Sequence, residues 1–279
     1  MVDVSHYGNI KAIHIIKDKQ TIFEYIRDDE IVTSLFSVGC IFKSFLSVLV
    51  GVAIYEGKIN SIEDCIIDYV SQEEIMDVNW YKLKIKHALS KTTGIKWPRP
   101  QEPIPAHMSE IMELKFESTP GISFQYKPDP QIIVYLLEEI YDLDITELFE
   151  TKIIAHFTNK NYEWNRNDIQ GMKVSIPLLN ELGELLLNKG TINGIRLFSE
   201  DYYEQMIKEY SSGGFPECLP YGLGWWTENK SNILRLSACG FGGQKLVIIP
   251  QKEMTITILS DMDRPHPENT NIIEIALQL

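Results

Sequence analysis

Short β-branched runs stand at both ends of the chain, and the long middle reads as mostly helical and loop-rich. Ile10-Lys-Ala-Ile-His-Ile-Ile-Lys17 and Thr21-Ile-Phe-Glu-Tyr-Ile26 flank a turn at Asp18-Lys-Gln20, which is the pattern of a hairpin. Near the other end, Gly222-Leu-Gly-Trp-Trp-Thr, Ile233-Leu-Arg-Leu, Gln244-Lys-Leu-Val-Ile-Ile and Met254-Thr-Ile-Thr-Ile-Leu are short strands separated by turn residues. A last helix is expected over Asn269–Leu279. Between the ends, helical periodicity predicts Gln131–Tyr141 and Ile176–Asn188, punctuated by Trp97-Pro-Arg-Pro, Thr119-Pro-Gly and Ser212-Gly-Gly-Phe-Pro. Two strand-rich ends and a helical middle predict an α+β protein. Its mainly antiparallel sheet is built from both chain ends and flanked by helices, with a largely helical inserted subdomain. The expected boundaries are 1–58 with 216–279 for the α/β part and 59–215 for the helical part. No fixed-period repeat is evident.

The 279 residues, 44% of them hydrophobic, are enough for a sizeable core. A formal net charge of -13 argues against a nucleic-acid backbone or an anionic membrane surface as partner. The start, Met1-Val-Asp-Val-Ser-His-Tyr-Gly, has neither a basic nor an apolar leader region, so a soluble, cytoplasmic protein is expected. The four cysteines, Cys40, Cys65, Cys218 and Cys239, form no C-x-x-C pair and are expected to be thiols.

Phe42 to Tyr55 is the most apolar helix candidate, closed by Glu56-Gly57-Lys58 with Gly57 suited to a left-handed terminus. Cys40 and Lys43 stand one turn apart at its start. Positions i and i+3 share a helix face. A thiol at a helix N-terminus lies where the dipole favours an anion, and a lysine one turn on adds a cation or, if desolvated, an amine base. On these two residues alone, the commoner reading is a buried structural cysteine beside a snorkelling lysine.

Their surroundings change that balance. Phe36-Ser-Val-Gly-Cys-Ile-Phe-Lys-Ser-Phe-Leu-Ser-Val-Leu-Val-Gly resembles the nucleophile helix of the penicillin-recognising acyl-serine enzymes, whose motif is Ser-x-x-Lys. That superfamily includes class C β-lactamases, DD-peptidases, esterases and 6-aminohexanoate-dimer hydrolases. Further pieces follow in order. Ile85-Lys-His-Ala-Leu-Ser-Lys-Thr-Thr-Gly-Ile95 is similar to the family's I-x-H-L-L-x-M-x-S-G-L. Thr119-Pro-Gly-Ile-Ser-Phe-Gln-Tyr126 is similar to the P-G-x-x-F-x-Y that leads into Tyr-x-Asn, and Asp129-Pro-Gln-Ile-Ile-Val-Tyr resembles the helix after it. Gly183-Glu-Leu-Leu-Leu-Asn-Lys-Gly-Thr-Ile-Asn-Gly-Ile-Arg-Leu-Phe-Ser199 and Ala238-Cys-Gly-Phe-Gly-Gly-Gln244 complete the series. Each piece is weak alone; their order along the chain is specific.

The resemblance implies a β-lactamase/transpeptidase-like fold and an acyl-enzyme mechanism without a cofactor. Cys40 takes the nucleophile position and Lys43 abstracts or relays its proton. Tyr126 takes the place of the tyrosine that serves with the lysine as general base and protonates the leaving group; a neighbouring ammonium can lower a phenol's pKa for that task. The implied oxyanion hole is the backbone N–H of Cys40 and of Phe241. Asp129, Cys239, Gly240 and Trp226 are the implied substrate contacts. Gly240, Gly242 and Gly243 serve backbone clearance, since no phosphate-binding spacing accompanies them.

Three departures matter. The nucleophile is cysteine. Pro128 occupies the third place of Tyr-x-Asn, with Asp129 beside it. The third motif, Lys-Thr/Ser-Gly, reads Ala238-Cys239-Gly240 and lacks its cation, which removes a fixed partner for a β-lactam carboxylate and turns the expectation towards esterase and amidase chemistry. His87 reads as structural at a helix start; His14 and His156 have no partner at metal-ligand spacing, and no metal is expected. Trp97 and Trp225 fit ordinary aromatic packing as well as a pocket wall, and the acidic runs Asp28-Asp-Glu and Glu138-Glu are solvated faces.

A thiol in this frame makes a thioester, which amines attack more readily relative to water than they attack an oxygen ester. The function expected is therefore cleavage or transfer of the acyl group of a small amide, ester or thioester through Cys40, with an amine as candidate acceptor. Two other readings stand beside it: a catalytically inactive β-lactamase-like paralogue that binds, and a serine hydrolase whose nucleophile was engineered to cysteine.

Overall fold

The computed structural model describes residues 4, 7–28, 31, 34–70, 75, 77–99 and 101–278. In chain order the strands and helices begin with β1 (Ile10–Lys17), β2 (Gln20–Ile26) and β3 (Phe36–Ser37). Helix α1 (Phe42–Tyr55) follows, then α2 (Ile85–Leu89), α3 (Met108–Met112), α4 (Pro130–Tyr141) and α5 (Ile145–Lys152). Next come β4 (Tyr162–Asn165), β5 (Asp168–Val174), α6 (Ile176–Leu187), β6 (Thr191–Ile192), β7 (Ile195–Arg196) and α7 (Glu200–Met206). The chain closes with β8 (Ser211–Gly214), β9 (Leu219–Tyr221), β10 (Trp226–Lys230), β11 (Ile233–Gly240), β12 (Gln244–Ile249), β13 (Met254–Ser260) and α8 (Thr270–Ala276).

Eight strands form one sheet in the order β2-β1-β13-β12-β11-β10-β9-β8, so the first hairpin pairs with the last strand of the chain. Every pairing along it is antiparallel; Ile13 lies opposite Ile258 and Leu246 opposite Thr257. The period-2 pattern explains how the sheet is covered. Ile13, Ile15, Val247, Ile256 and Ile258 face one way and pack with Ile272 and Ile273 of α8. Leu246, Ile248 and Leu259 face the other way into the main core, which holds α1 and α6. With apolar matter on both sides, β12 and β13 are buried at every residue. Each fully buried Ile or Leu contributes roughly 1.5–3 kcal/mol of transfer free energy.

Local signals set the helix starts. Ser175 accepts a hydrogen bond from the Leu178 N–H at α6, Ser199 from Tyr202 at α7 and Asp144 from Thr146 at α5, each satisfying an orphan donor of the first turn. Pro130 opens α4, where a missing N–H costs nothing. Helix α1 is buried from Phe42 through Ala53, including Lys43 and Ser47. An all-round apolar helix of this kind sits in the centre of a domain.

The expected helices fall within a few residues of the observed ones at each end. The middle departs from expectation by carrying strands: β4 and β5 form a hairpin that pairs with β3, β6 pairs with β7, and β8 joins the large sheet. The single polar alternation of Tyr-Glu-Trp-Asn is too short to read as a strand without its partner. The acidic run at 28–30 falls partly outside the described residues. Among the described residues no helix is long and apolar enough to cross a membrane.

Candidate active site

Cys40 lies in a one-turn 3-10 segment, Gly39–Ile41, directly before α1. Gly39 has φ +48, in the left-handed region that glycine adopts without steric cost, and this turns the chain sharply into the helix. The turn also presses on the third motif. A Cβ on Gly240 would lie 2.2 Å from the Val38 carbonyl oxygen, and one on Gly39 would lie 3.4 Å from the Phe241 nitrogen. The backbone of residues 38–40 thus runs directly beside that of 240–241, and Gly240 is needed for clearance. Two amides from different ends of the sequence, Cys40 and Phe241, belong to these adjoining segments.

Lys43 follows on the first turn of α1 and is nine-tenths buried. Its Nζ donates to the Tyr126 hydroxyl at 2.8 Å and lies 4.1 Å from the centre of the Tyr126 ring. Tyr126 and Lys43 both act on the Cys40 thiol, each drawing its pKa down. The structure therefore brings the phenol of one sequence segment to the thiol and amine of another. Burial pushes the Cys40 thiol up, but the Lys43 charge, hydrogen bonds from Tyr126 and Lys43, and the Lys91 charge outweigh it, and the net shift is downwards. A thiolate is the favoured nucleophilic form.

Tyr126 behaves differently from expectation. Burial comes first, followed by electrostatic coupling to Cys40 and Tyr221, and together they push its pKa up. A buried phenol so placed resists losing its proton and is not a ready base. Phe124, Tyr126, Tyr221 and Trp226 form an aromatic cluster: Tyr126 stacks on Trp226 at 6.1 Å, and Tyr221 meets Trp226 edge-on at 4.7 Å.

The remaining residues read as substrate contacts lie deeper. Trp226 is buried within the aromatic cluster, and Cys239 packs against it. Asp129 is 1% exposed, its Oδ1 held by the Thr93 hydroxyl at 2.9 Å and the Trp97 indole N–H at 2.6 Å. Burial pushes its carboxyl up, and its Oδ2 has no hydrogen-bond partner. This places Asp129 behind the site, as a support for the segment that carries Tyr126.

Two lysines were not legible in the sequence. Lys245 on β12 lies opposite Cys239 on β11, with its Nζ 3.6 Å from the Cys239 sulfur and 2.7 Å from Glu217. The third motif thus has a cation after all, supplied by the neighbouring strand, and only the sheet register reveals it. It is paired with a carboxylate. Burial pushes the Cys239 thiol up to about 12, so this second cysteine stays protonated. The other lysine, Lys91, is fully buried beside Tyr126, with its Nζ 4.5 Å from the ring centre.

His87 donates nothing to this cluster; its Nδ1 accepts from the Lys84 N–H at 3.2 Å. His14 bonds to Asn180 across the sheet–helix interface. Glu138 is engaged by Arg166 in a two-pronged ion pair. A cavity of about 1030 Å³ bordered by His107, Tyr135 and Arg166 shares no residue with the Cys40 site. Acidic side chains dominate its rim, and its lining holds no cysteine.

A profile of the β-lactamase family matches residues 12–279. A Bacteroides dorei protein described as a β-lactamase superposes with a TM-score of 0.82 at 15% identity, covering 99% of this chain and 96% of that one. A Bacillus anthracis protein described as a 6-aminohexanoate-dimer hydrolase gives 0.78 at 17% identity, covering 97% and 78%. The octameric penicillin-binding protein homologue of Pyrococcus abyssi gives 0.73 at 16% identity, covering 96% and 73%. No curated protein sequence matches. At such identities the superpositions speak for the fold alone, whereas the profile spans nearly the whole chain. This chain belongs to the β-lactamase family, a family of hydrolases and acyl-transferring enzymes, and carries Cys40 where the first motif it resembles has serine.

Proposed function

We propose that the protein is an acyl-transfer enzyme that forms a thioester at Cys40 from a small amide, ester or thioester donor. The observation that carries this reading is the bond of Lys43 Nζ to the Tyr126 hydroxyl at 2.8 Å beside a thiol whose pKa both groups lower. An inert, buried cysteine has no such surroundings.

The steps follow from the protonation states. The Cys40 thiolate attacks the donor carbonyl; a carbon–sulfur bond forms and the carbonyl oxygen takes up negative charge. The adjoining amides of Cys40 and Phe241 are the candidates to receive that charge. As the tetrahedral centre collapses, the bond to the leaving group breaks and the Tyr126 phenol gives the departing atom its proton. The Lys43 ammonium re-protonates the phenolate across their hydrogen bond. An amine or water then attacks the thioester, loses a proton through Tyr126 to Lys43, and releases Cys40 as thiolate. Tyr126 is thus the proton donor of acylation, and Lys43 stores the proton between half-reactions.

Incubation with activated esters or acyl thioesters, followed by intact-mass measurement, tests the proposal. One added acyl group is expected, absent in Cys40→Ala, with faster discharge by added amine than by water. Absence of any adduct across the donor panel would favour the binding paralogue instead.

A further inference from the structure

We infer that Lys91 is a positioning residue of the Cys40 site: it clamps Tyr126 in place and, acting through Tyr126 and Lys43, helps to hold Cys40 as a thiolate. This rests on the proposed acyl-transfer reading but is testable without it.

Four observations carry it. Lys91 stands in the segment Ile85-Lys-His-Ala-Leu-Ser-Lys-Thr-Thr-Gly-Ile95 at the place where the pattern it resembles has methionine, so it puts a charged group where that pattern has an apolar one. Its side chain is 0% exposed, and a fully buried lysine is rare unless something holds it. Its backbone is left-handed, with φ +58, a region few non-glycine residues occupy. Finally, it grips the Tyr126 segment at both ends: the Lys91 carbonyl accepts from the Gln125 N–H at 2.8 Å, and Lys91 Nζ donates to the Lys127 carbonyl at 2.9 Å. Tyr126 lies between those two bonds, with its ring 4.5 Å from the same Nζ.

The charges around Lys91 make this more than a structural clamp. Lys43 of α1 faces it, and the two amines repel. Tyr126, Asp129, Cys40, Tyr221 of β9 and Cys239 of β11 complete the buried titratable set. Burial first, and Lys43 second, push the Lys91 amine well down, while Asp129 and Cys40 oppose the shift. Ionising Cys40 therefore favours a proton on Lys91, and a proton on Lys91 favours the thiolate. Where Lys91 holds its proton, it adds a positive charge facing the Asp129 carboxyl and the Cys40 sulfur.

The experiment reads Cys40 ionisation directly. Iodoacetamide alkylation of the Cys40 peptide is followed by mass spectrometry against pH in the wild type, Lys91→Met and Lys91→Gln. Met fills the space without charge; Gln can keep the bond to Lys127. In both variants the alkylation midpoint is expected to move to higher pH, with the rate at pH 7 falling about tenfold, the change that follows a pKa shift of one unit. The Gln variant is expected to restore thermal stability towards wild type without restoring the midpoint. An unchanged midpoint in folded Lys91→Met and Lys91→Gln would overturn the inference. A measurement on the unmutated protein covers the case in which both variants misfold. With lysine labelled at Cε, one NMR resonance should titrate well below the ordinary lysine range and move when Cys40 is alkylated; no such resonance would also overturn it. Because alkylation needs no acyl donor, failure here is distinct from failure to find an acyl-enzyme.

Discussion

At the scale of single residues, the site depends on how three side chains divide one proton. Cys40 is shifted down and Tyr126 up, so ionisation favours the sulfur over the phenol oxygen. The prediction is a division of labour. Tyr126→Phe keeps the ring and its stacking on Trp226 but removes the proton donor to the leaving group. Acylation by an amide or alkyl ester should fall by about 10²–10⁴-fold, whereas an aryl ester or thioester, whose leaving group needs no proton, should lose far less. Rapid-quench acylation rates for the two donor classes check this; an equal loss for both would mean that Tyr126 acts on the Cys40 thiol and not on the leaving group. Cys40, Lys43 and Tyr126 were legible in the sequence because each belongs to a patterned segment. The direction of the Tyr126 shift was not, because burial depends on Tyr221 and Trp226, which arrive from the other end of the chain.

At the scale of elements, the active residues hang on joints between secondary structures. The 38–40 turn, the segment from Lys91 to Tyr126 and the β11–β12 pair meet at one point. Sequence periodicity found α1, α4, α6 and the end strands, because each has an apolar face with a clear repeat. It missed the β4–β5 and β6–β7 hairpins, whose alternation is too short to stand out. It also missed Lys245, whose relation to Cys239 exists only through strand register. Helix α2 offers a test at this scale. Burial, then Lys86 and Lys84, lower His87 to about 4. The folded value lies below the usual 6.5, so His87 is neutral in the fold and its protonation opposes folding. Its contribution is present above about pH 6.5 and is lost as pH falls towards 4. Protonation also removes the Nδ1 acceptor used by the Lys84 N–H. Denaturant midpoints between about pH 7 and pH 4 should therefore decline more steeply in the wild type than in His87→Gln; parallel declines would contradict this.

At the scale of the whole molecule, the sheet and the helical region share one core. Residues as distant as Ala12, Phe45, Ile133, Leu182 and Leu246 belong to a single buried cluster. The subdomain boundaries read from the sequence therefore divide a chain whose apolar interior is continuous. We expect one cooperative unfolding transition, with tryptophan fluorescence and far-UV circular dichroism coinciding in denaturant. Trp80, Trp97 and Trp164 report on the helical region, and Trp225 and Trp226 on the sheet. Two separated transitions would show independent units. The overall charge of -13 carried no hint of the local balance, in which Lys43, Lys91 and Lys245 gather around two cysteines.

The central claim is that Cys40 becomes covalently acylated. The most direct measurement is peptide-level mass spectrometry of the protein quenched in acid after brief exposure to an acyl thioester. The account predicts one acyl group on the peptide containing Cys40, released by neutral hydroxylamine as a thioester is. An unmodified Cys40 peptide, or an adduct that persists elsewhere in Cys40→Ala, would contradict it.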